Sequence, residues 1–239
     1  MMNRPSSSLS HRREIRDTRE LILESAKTIF AKKGYDGATV KDLSDAAGVN
    51  VSLVSYYFKG KEGLYRACLE SIGRSRIALG ERILRVPEST EDFRVRIKLY
   101  IESIIHEHLE EPEISTILLR ECGSETSIAA DIFQTVFYSA YRKIVDFFHA
   151  AKTKGFLKTE IDPEVASSVL FGALIHTIRM DPMAEKLTGK TLKNSNDREH
   201  FVYNLLKSIM DGIIIDNTKG TLLCPGEVAR QNLRKYFFD

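Results

Sequence analysis

Tryptophan is absent from this 239-residue chain, and cysteine and proline are scarce, at three and six residues. The thiols Cys68, Cys122 and Cys224 are odd in number and far apart. They give neither a disulfide framework nor zinc-ligand spacing, which fits reduced thiols in a cytoplasmic protein. An excess of one charge is also missing: the formal net charge is only +2, which excludes a uniform polycation. No long apolar run is present. The most apolar stretch, "VASSVLFGALIHTI" at residues 165–178, is too short for a membrane span and fits a buried helix. The opening "MMNRPSSSLSHRREIRD" lacks the apolar segment of a secretory leader. Period-two alternation is nearly absent, so the expected fold class is all-α.

Catalytic signatures are lacking too. The sequence has no glycine-rich phosphate loop, no HExxH and no ordered Ser-His-Asp set. His106 and His108 are two residues apart and do not share a helix face, which argues against a metal pair. The chain is therefore read as a non-enzyme without metal or cofactor.

What is present is helical periodicity from end to end, with charge distributed unevenly along it. Residues 1–66 hold 12 Lys/Arg against 8 Asp/Glu, and the remainder 23 against 25, so the front is mildly basic and suits an anionic partner. Residues 1–16, polar and carrying Arg12, Arg13 and Arg16, are expected to form a flexible basic arm. A first helix is expected from Asp17 or Thr18 to Lys33, with Ile22, Ala26, Ile29 and Phe30 inward and Gly34 as its stop. Thr39, with Asp42 three residues on, caps a short second helix, and Gly48 makes a sharp turn. Asn50 caps a third helix to Phe58, and Val54 and Phe58, one turn apart, point inward. Long helices follow at about 61–84, 91–110, 127–154, 163–180 and 198–215, with a shorter one from Pro112 to about Cys122. A loop is expected over 181–197, and the tail from Asn217 is left open apart from a small helix after Pro225.

Two short helices joined by a glycine turn make a helix-turn-helix, in which the first helix braces the second within a DNA major groove. Anchoring through Val54 and Phe58 leaves Ser52, Leu53, Ser55 and Tyr56 outward, towards base edges; a leucine suits a thymine methyl. Thr39 at a helix N-terminus, the Tyr57 phenol and Lys61 at the start of the fourth helix suit phosphates.

The run "RELILESAKTIFAKKGYDGATVKDLSDAAGVNVSLVSYYFKGKEGLY" resembles the N-terminal domain of the TetR (tetracycline-repressor) family over about residues 18–66. The shared elements stand in order: an amphipathic helix ending F-x-x-x-G-Y, Thr39, A-A-G-V, Y-Y-F, then K-E-G-L. By position, Thr39, Tyr57 and Lys61 match the family's phosphate-contacting places, and Ser52, Leu53, Ser55 and Tyr56 its base-facing places. Three residues depart from the pattern: Gly60 where serine or asparagine is common, Ser55 where an aromatic is common, and Val51 where a polar residue is common.

The resemblance implies a homodimeric transcriptional regulator, more commonly a repressor, that binds a palindromic double-stranded DNA operator. It implies a helix-turn-helix domain over 17–60 and a larger helical ligand-binding and dimerisation domain over 61–239. The helices at about 163–180 and 198–215 would form the dimer interface. A small effector would bind between the C-terminal helices and change the spacing of the two recognition helices. Ile101, His108, Phe133, Phe137, Tyr141, His176 and Arg179 are the candidate pocket residues. The rival reading is an all-helical enzyme or adaptor whose front domain only resembles a DNA reader.

Overall fold

The computed structural model describes residues 6–121 and 128–214, and among these only helices and connecting turns occur, apart from one isolated bridge between Leu157 and Ile214. The helices are α1 (Ser6–Gly37), α2 (Val40–Ala47), α3 (Val51–Phe58), α4 (Lys61–Ile83), α5 (Thr90–Glu110) and α6 (Pro112–Glu121). They continue with α7 (Ala130–Ile132), a π-helical turn (Phe133–Phe137), α8 (Tyr138–Thr153), α9 (Pro163–Thr188) and α10 (Ser195–Ile213).

The described residues divide into two compact units, one of those up to residue 75 and from 111 to 137, the other of those from 76 to 110 and from 138 onward. In the first unit α1 packs on α2 and on α6, and α2 on α3. Its core holds Ile22, Ala26, Phe30, Leu43, Val54, Phe58, Leu64 and Leu69 together with Ile117 and Ile132. Thus α6 and α7, which the sequence reading placed beyond the boundary at residue 60, belong with the helix-turn-helix. In the second unit α9 packs on α5, α8 and α10 around Phe93, Phe147 and Phe148, whose rings meet 5.1–5.2 Å apart.

Helix α1 begins earlier than expected. Residues 6–16, read as a flexible arm, are helical, consistent with a run from Ser6 to Lys33 free of glycine and proline; residues 1–5 lie outside the described part. The helix breaks at Gly34 (φ 72°), as its sequence suggests. A helix end strands its last carbonyls, and here two cations satisfy them. Arg120 donates from Nη1 to Phe30 O (2.9 Å) and from Nη2 to Ala31 O (3.0 Å), and Lys61 Nζ donates to Tyr35 O (2.9 Å). Positive charge at a helix C-terminus also complements the macrodipole. Nearby, the Tyr65 hydroxyl donates to Glu121 Oε1 at 2.6 Å, and Arg66 grips Asp131 and Ile128 O, each at 2.9 Å from Nη1.

Three further expectations change. The loop expected over 181–197 is short, because α9 runs through Pro182 to Thr188, where Gly189 caps it. Proline removes one backbone donor, but its ring locks φ near the helical value. Buried Asp181 then fastens the chain beyond the helix, accepting from Leu192 N (2.7 Å) and Thr191 Oγ1 (3.1 Å). The helix expected over 127–154 carries the π turn, which stacks Phe133 on Phe137 at 4.4 Å. Cys122, Cys224 and the tail from Asn217 lie outside the described residues. Cys68 is buried, and burial pushes its thiol up to about 12, so it is an inert packing residue.

Single polar side chains close the long connections. Lys152 Nζ donates to Lys158 O, Thr159 O and Ile161 O at 2.6–2.9 Å, holding the loop between α8 and α9. Arg120→Met and Lys152→Met should each lower unfolding free energy by about 1–3 kcal/mol, because each strands carbonyls now satisfied by a charge. Urea denaturation of the full chain measures it; an unchanged midpoint in both variants would remove these residues from the account.

Candidate nucleic-acid interface

The helix-turn-helix is built from local caps. The Thr39 hydroxyl accepts from Asp42 N (3.1 Å), and Asp42 Oδ2 accepts from Thr39 N (3.0 Å), a reciprocal capping box. Lys33 adds an ion pair to Asp42 at 2.7 Å. At the other end of α2, Gly48 adopts φ 64°, a left-handed turn natural to glycine, and its N–H returns to Asp45 O. Asn50 then caps α3, its Oδ1 accepting from both Ser52 N (2.9 Å) and the Ser52 hydroxyl (2.8 Å).

Helix α3 has two faces. Val54 and Phe58 are 0% and 5% exposed and lie in the core of the first unit. Val51, Ser52, Ser55 and Tyr56 form the exposed face, with Tyr56 at 73%. Leu53 and Tyr57 lie between them, half-buried against the core. Leu53, read from sequence as outward, is thus committed mainly to packing. The apolar group presented to solvent is Val51, at the first turn of α3 and one turn before Ser55.

The hydrogen bonds already made narrow what each side chain can do. Thr39 uses its oxygen as an acceptor, which leaves its hydroxyl proton free to donate. Ser52 spends its proton on Asn50, so its remaining capacity is to accept, as from an exocyclic amino group. Tyr56 sets its ring edge-on to Tyr57 at 5.0 Å. The Lys61 ammonium, expected to point at phosphate, is occupied: besides Tyr35 O it lies 4.4 Å over the Tyr35 ring.

The turn after α3 is tight. Lys59 adopts φ 61°, the single positive φ outside glycine among the described residues, and its N–H returns to Ser55 O at 2.9 Å. That conformation costs about 1 kcal/mol relative to glycine. Gly63 lies so close behind the end of α3 that an added Cβ would overlap the carbonyl oxygen of Phe58, so only glycine fits there. Arg19 of α1 lies over the Phe58 ring, 4.9 Å from its centroid. Sequence reasoning missed Lys59, Val51 and Arg19; of these, Val51 was visible as a departure from the family pattern, and the other two depend on three-dimensional placement.

The candidate pocket residues are divided between the two units. Phe133 and Phe137 pack in the first unit against its core. Ile101, His108, Tyr141, His176 and Arg179 belong to the second. Ile101 is buried, and Tyr141 meets Phe171 with ring centroids 5.4 Å apart. His176 and Arg179 are exposed on α9, on the side away from its buried Leu170, Leu174 and Ile178, so neither faces the core of its own unit. The His108 Nδ1 is buried without a hydrogen-bond partner. Burial holds the His108 ring below the usual histidine range, against the pull of Asp181, with Arg76 and Lys193 reinforcing the depression. No group of three His, Cys, Asp or Glu among the described residues is arranged to hold a metal ion. No helix among them is long and apolar enough to cross a membrane.

The hydrogen bond from Lys33, followed by the two from Thr39, lowers the Asp42 carboxyl to about 2. A depressed acid contributes stability that is complete above its unfolded value and fades as pH falls towards the folded one. The first unit should therefore lose this contribution between about pH 4 and pH 2. Asp42→Asn should flatten that part of the acid dependence, as read by circular dichroism melting across the range; an identical acid profile in the variant would contradict the assignment.

Comparison with known proteins finds relatives of this chain. Residues 22–68 match the family model described as bacterial regulatory proteins, tetR family. The probable HTH-type transcriptional regulator YttP of Bacillus subtilis is 29% identical over 120 residues, covering 49% of this chain and 56% of that protein. The HTH-type transcriptional regulator RutR of Escherichia coli K12 is 25% identical over 207 residues, covering 84% and 92%. Among solved structures, SmeT in complex with triclosan superposes with a TM-score of 0.68 at 20% identity, covering 89% of this chain and 97% of that one. SmeT is described as the repressor of the Stenotrophomonas maltophilia multidrug efflux pump SmeDEF. Residues 22–68 thus carry the helix-turn-helix domain of the tetR family, and over most of its length the chain is similar to an HTH-type transcriptional regulator and shares the all-helical fold of SmeT.

Proposed function

We propose that the chain is a cytoplasmic homodimeric repressor, released from a palindromic operator by a small-molecule effector. The observation that carries the reading is the two-faced α3: Val54 and Phe58 hold it to the core while Val51, Ser52, Ser55 and Tyr56 stand free. In the major groove Val51 meets a thymine methyl, with half-buried Leu53 at the margin of that contact. Ser52 accepts from a base amino group, and Ser55 and Tyr56 complete the base-facing set. Thr39, the Tyr57 phenol and the backbone amide of Lys61 take phosphates at the flanks.

Dimerisation uses α9 and α10. The outer side of α9 carries Val165, Val169, Met183 and Leu187, with Leu187 76% exposed. Repeated at intervals of one or more helix turns, these form an apolar stripe of the kind that a partner helix covers. On this reading His176 and Arg179, which share that outer side, belong to the subunit interface rather than to the effector pocket. The pocket itself lies in the second unit near Ile101, His108 and Tyr141. The orphaned His108 Nδ1 supports this, since a ligand supplying one hydrogen bond recovers a desolvation penalty. Effector occupancy shifts the protein between two states of differing operator affinity. SmeT supports a small organic molecule as the general type of effector, since it has been solved with triclosan.

Selection of bound duplexes from a random pool should return a motif with two-fold symmetry and half-sites about one helical turn apart. Tyr57→Phe should weaken binding across sequences, and Ser52→Ala should relax preference at one position per half-site by about 1–3 kcal/mol. Val169→Glu should yield monomers in analytical ultracentrifugation and abolish tight operator binding. Recovery of unrelated duplexes without symmetry would favour the enzyme or adaptor reading.

A further inference from the structure

The turn at the end of α3 combines features that ordinary packing does not require. Lys59 holds a left-handed conformation (φ 61°), and Gly60 comes next at φ 105°. Asparagine or glycine serves such a position with less strain, and a strained residue kept on an exposed surface directs attention to its side chain. The Lys59 side chain is exposed and makes no hydrogen bond or ion pair among the described residues. Arg19 is likewise exposed and without a carboxylate partner there, its guanidinium lying 4.9 Å over the Phe58 ring. Phe58 thus carries one cation as its chain neighbour and another on its ring. Resting over the ring, the exposed Arg19 guanidinium keeps N–H donors available, and a guanidinium fork suits a bidentate bond to phosphate.

Lys61 stands in contrast. Its ammonium bonds Tyr35 O at 2.9 Å and approaches Asp36 O at 3.5 Å, so reaching a phosphate would strand the carbonyls that end α1. We propose that Lys59 and Arg19 form the backbone clamp for DNA at the C-terminal end of α3, and that the Lys61 side chain holds the end of α1 instead. The clamp's ligand is a phosphodiester of duplex DNA, held without regard to sequence, at the end of the recognition helix that faces the strand rather than the bases. The proposal rests on the regulator reading above, and it reassigns a role that position within the family gives to Lys61.

The test uses the full chain and an operator duplex recovered from the random pool, with affinity measured against potassium chloride concentration and thermal melting measured alongside. Lys59→Gly relieves the strained turn, so its melting temperature should hold or rise while operator affinity falls by about 5–10-fold at low salt. Its salt slope should drop by about one, with an equal loss on a scrambled duplex. Arg19→Met should lower the slope in the same way. Lys61→Met should lower the melting temperature and leave the slope as in the parent. Parental affinity and slope in both Lys59→Gly and Arg19→Met, with the parent still binding tightly, would overturn the clamp alone. Failure of the parent to prefer any duplex would overturn the regulator reading and the clamp with it.

Discussion

The architecture of the first unit depends on satisfying the carbonyl oxygens where α1 stops. Gly34 breaks the helix, and Phe30, Ala31 and Tyr35 present acceptors with no continuing helix to bond them. Arg120 and Lys61 answer from two later parts of the chain, one from α6 and one from the start of α4. Because a buried or half-buried carbonyl without a donor is costly, these two bonds do more than decorate a junction. They fix where α6 sits against the helix-turn-helix and bring the N-terminus of α4 to the end of α1. The Tyr65–Glu121 and Arg66–Asp131 contacts then extend the same junction.

Much of this protein was legible in its sequence, for a physical reason. The helix-turn-helix is made of short-range devices: Thr39 with Asp42, Gly48, Asn50, and the one-turn spacing of Val54 and Phe58. Each acts within four residues, so each can be recognised in a linear string. The helix boundaries near Lys61, Pro112 and Pro163 come from equally local chemistry. What the string did not disclose depends on distant partners. Nothing local to Arg120 announces that it will serve carbonyls ninety positions earlier, and nothing local to Lys61 says that its ammonium is already committed. The assignment of α6 and α7 to the first unit was missed for the same reason, since Ile117 and Ile132 look like ordinary core residues of any helix.

Proline misled in the opposite direction. Pro182 reads as a terminator, yet α9 continues for six more residues, because the loss of one donor is small beside the remaining helical turns and the anchoring of Asp181 to residues 191 and 192. The candidate pocket shows the limit of stripe reasoning more plainly. Placing a histidine or an arginine on an apolar helix does not tell which side of that helix is covered. His176 and Arg179 occupy the uncovered side, while His108 occupies the covered one, and periodicity alone treats them alike.

Gly63 carries a further implication. With the Phe58 carbonyl oxygen occupying the space a side chain would need, the first turn of α4 is seated directly on the last turn of α3. The seam leaves no room at that position for even a methyl group. The glycine is a requirement of the seam itself: any larger residue there must pry α4 away from α3 and disturb the face that Val54 and Phe58 hold in place.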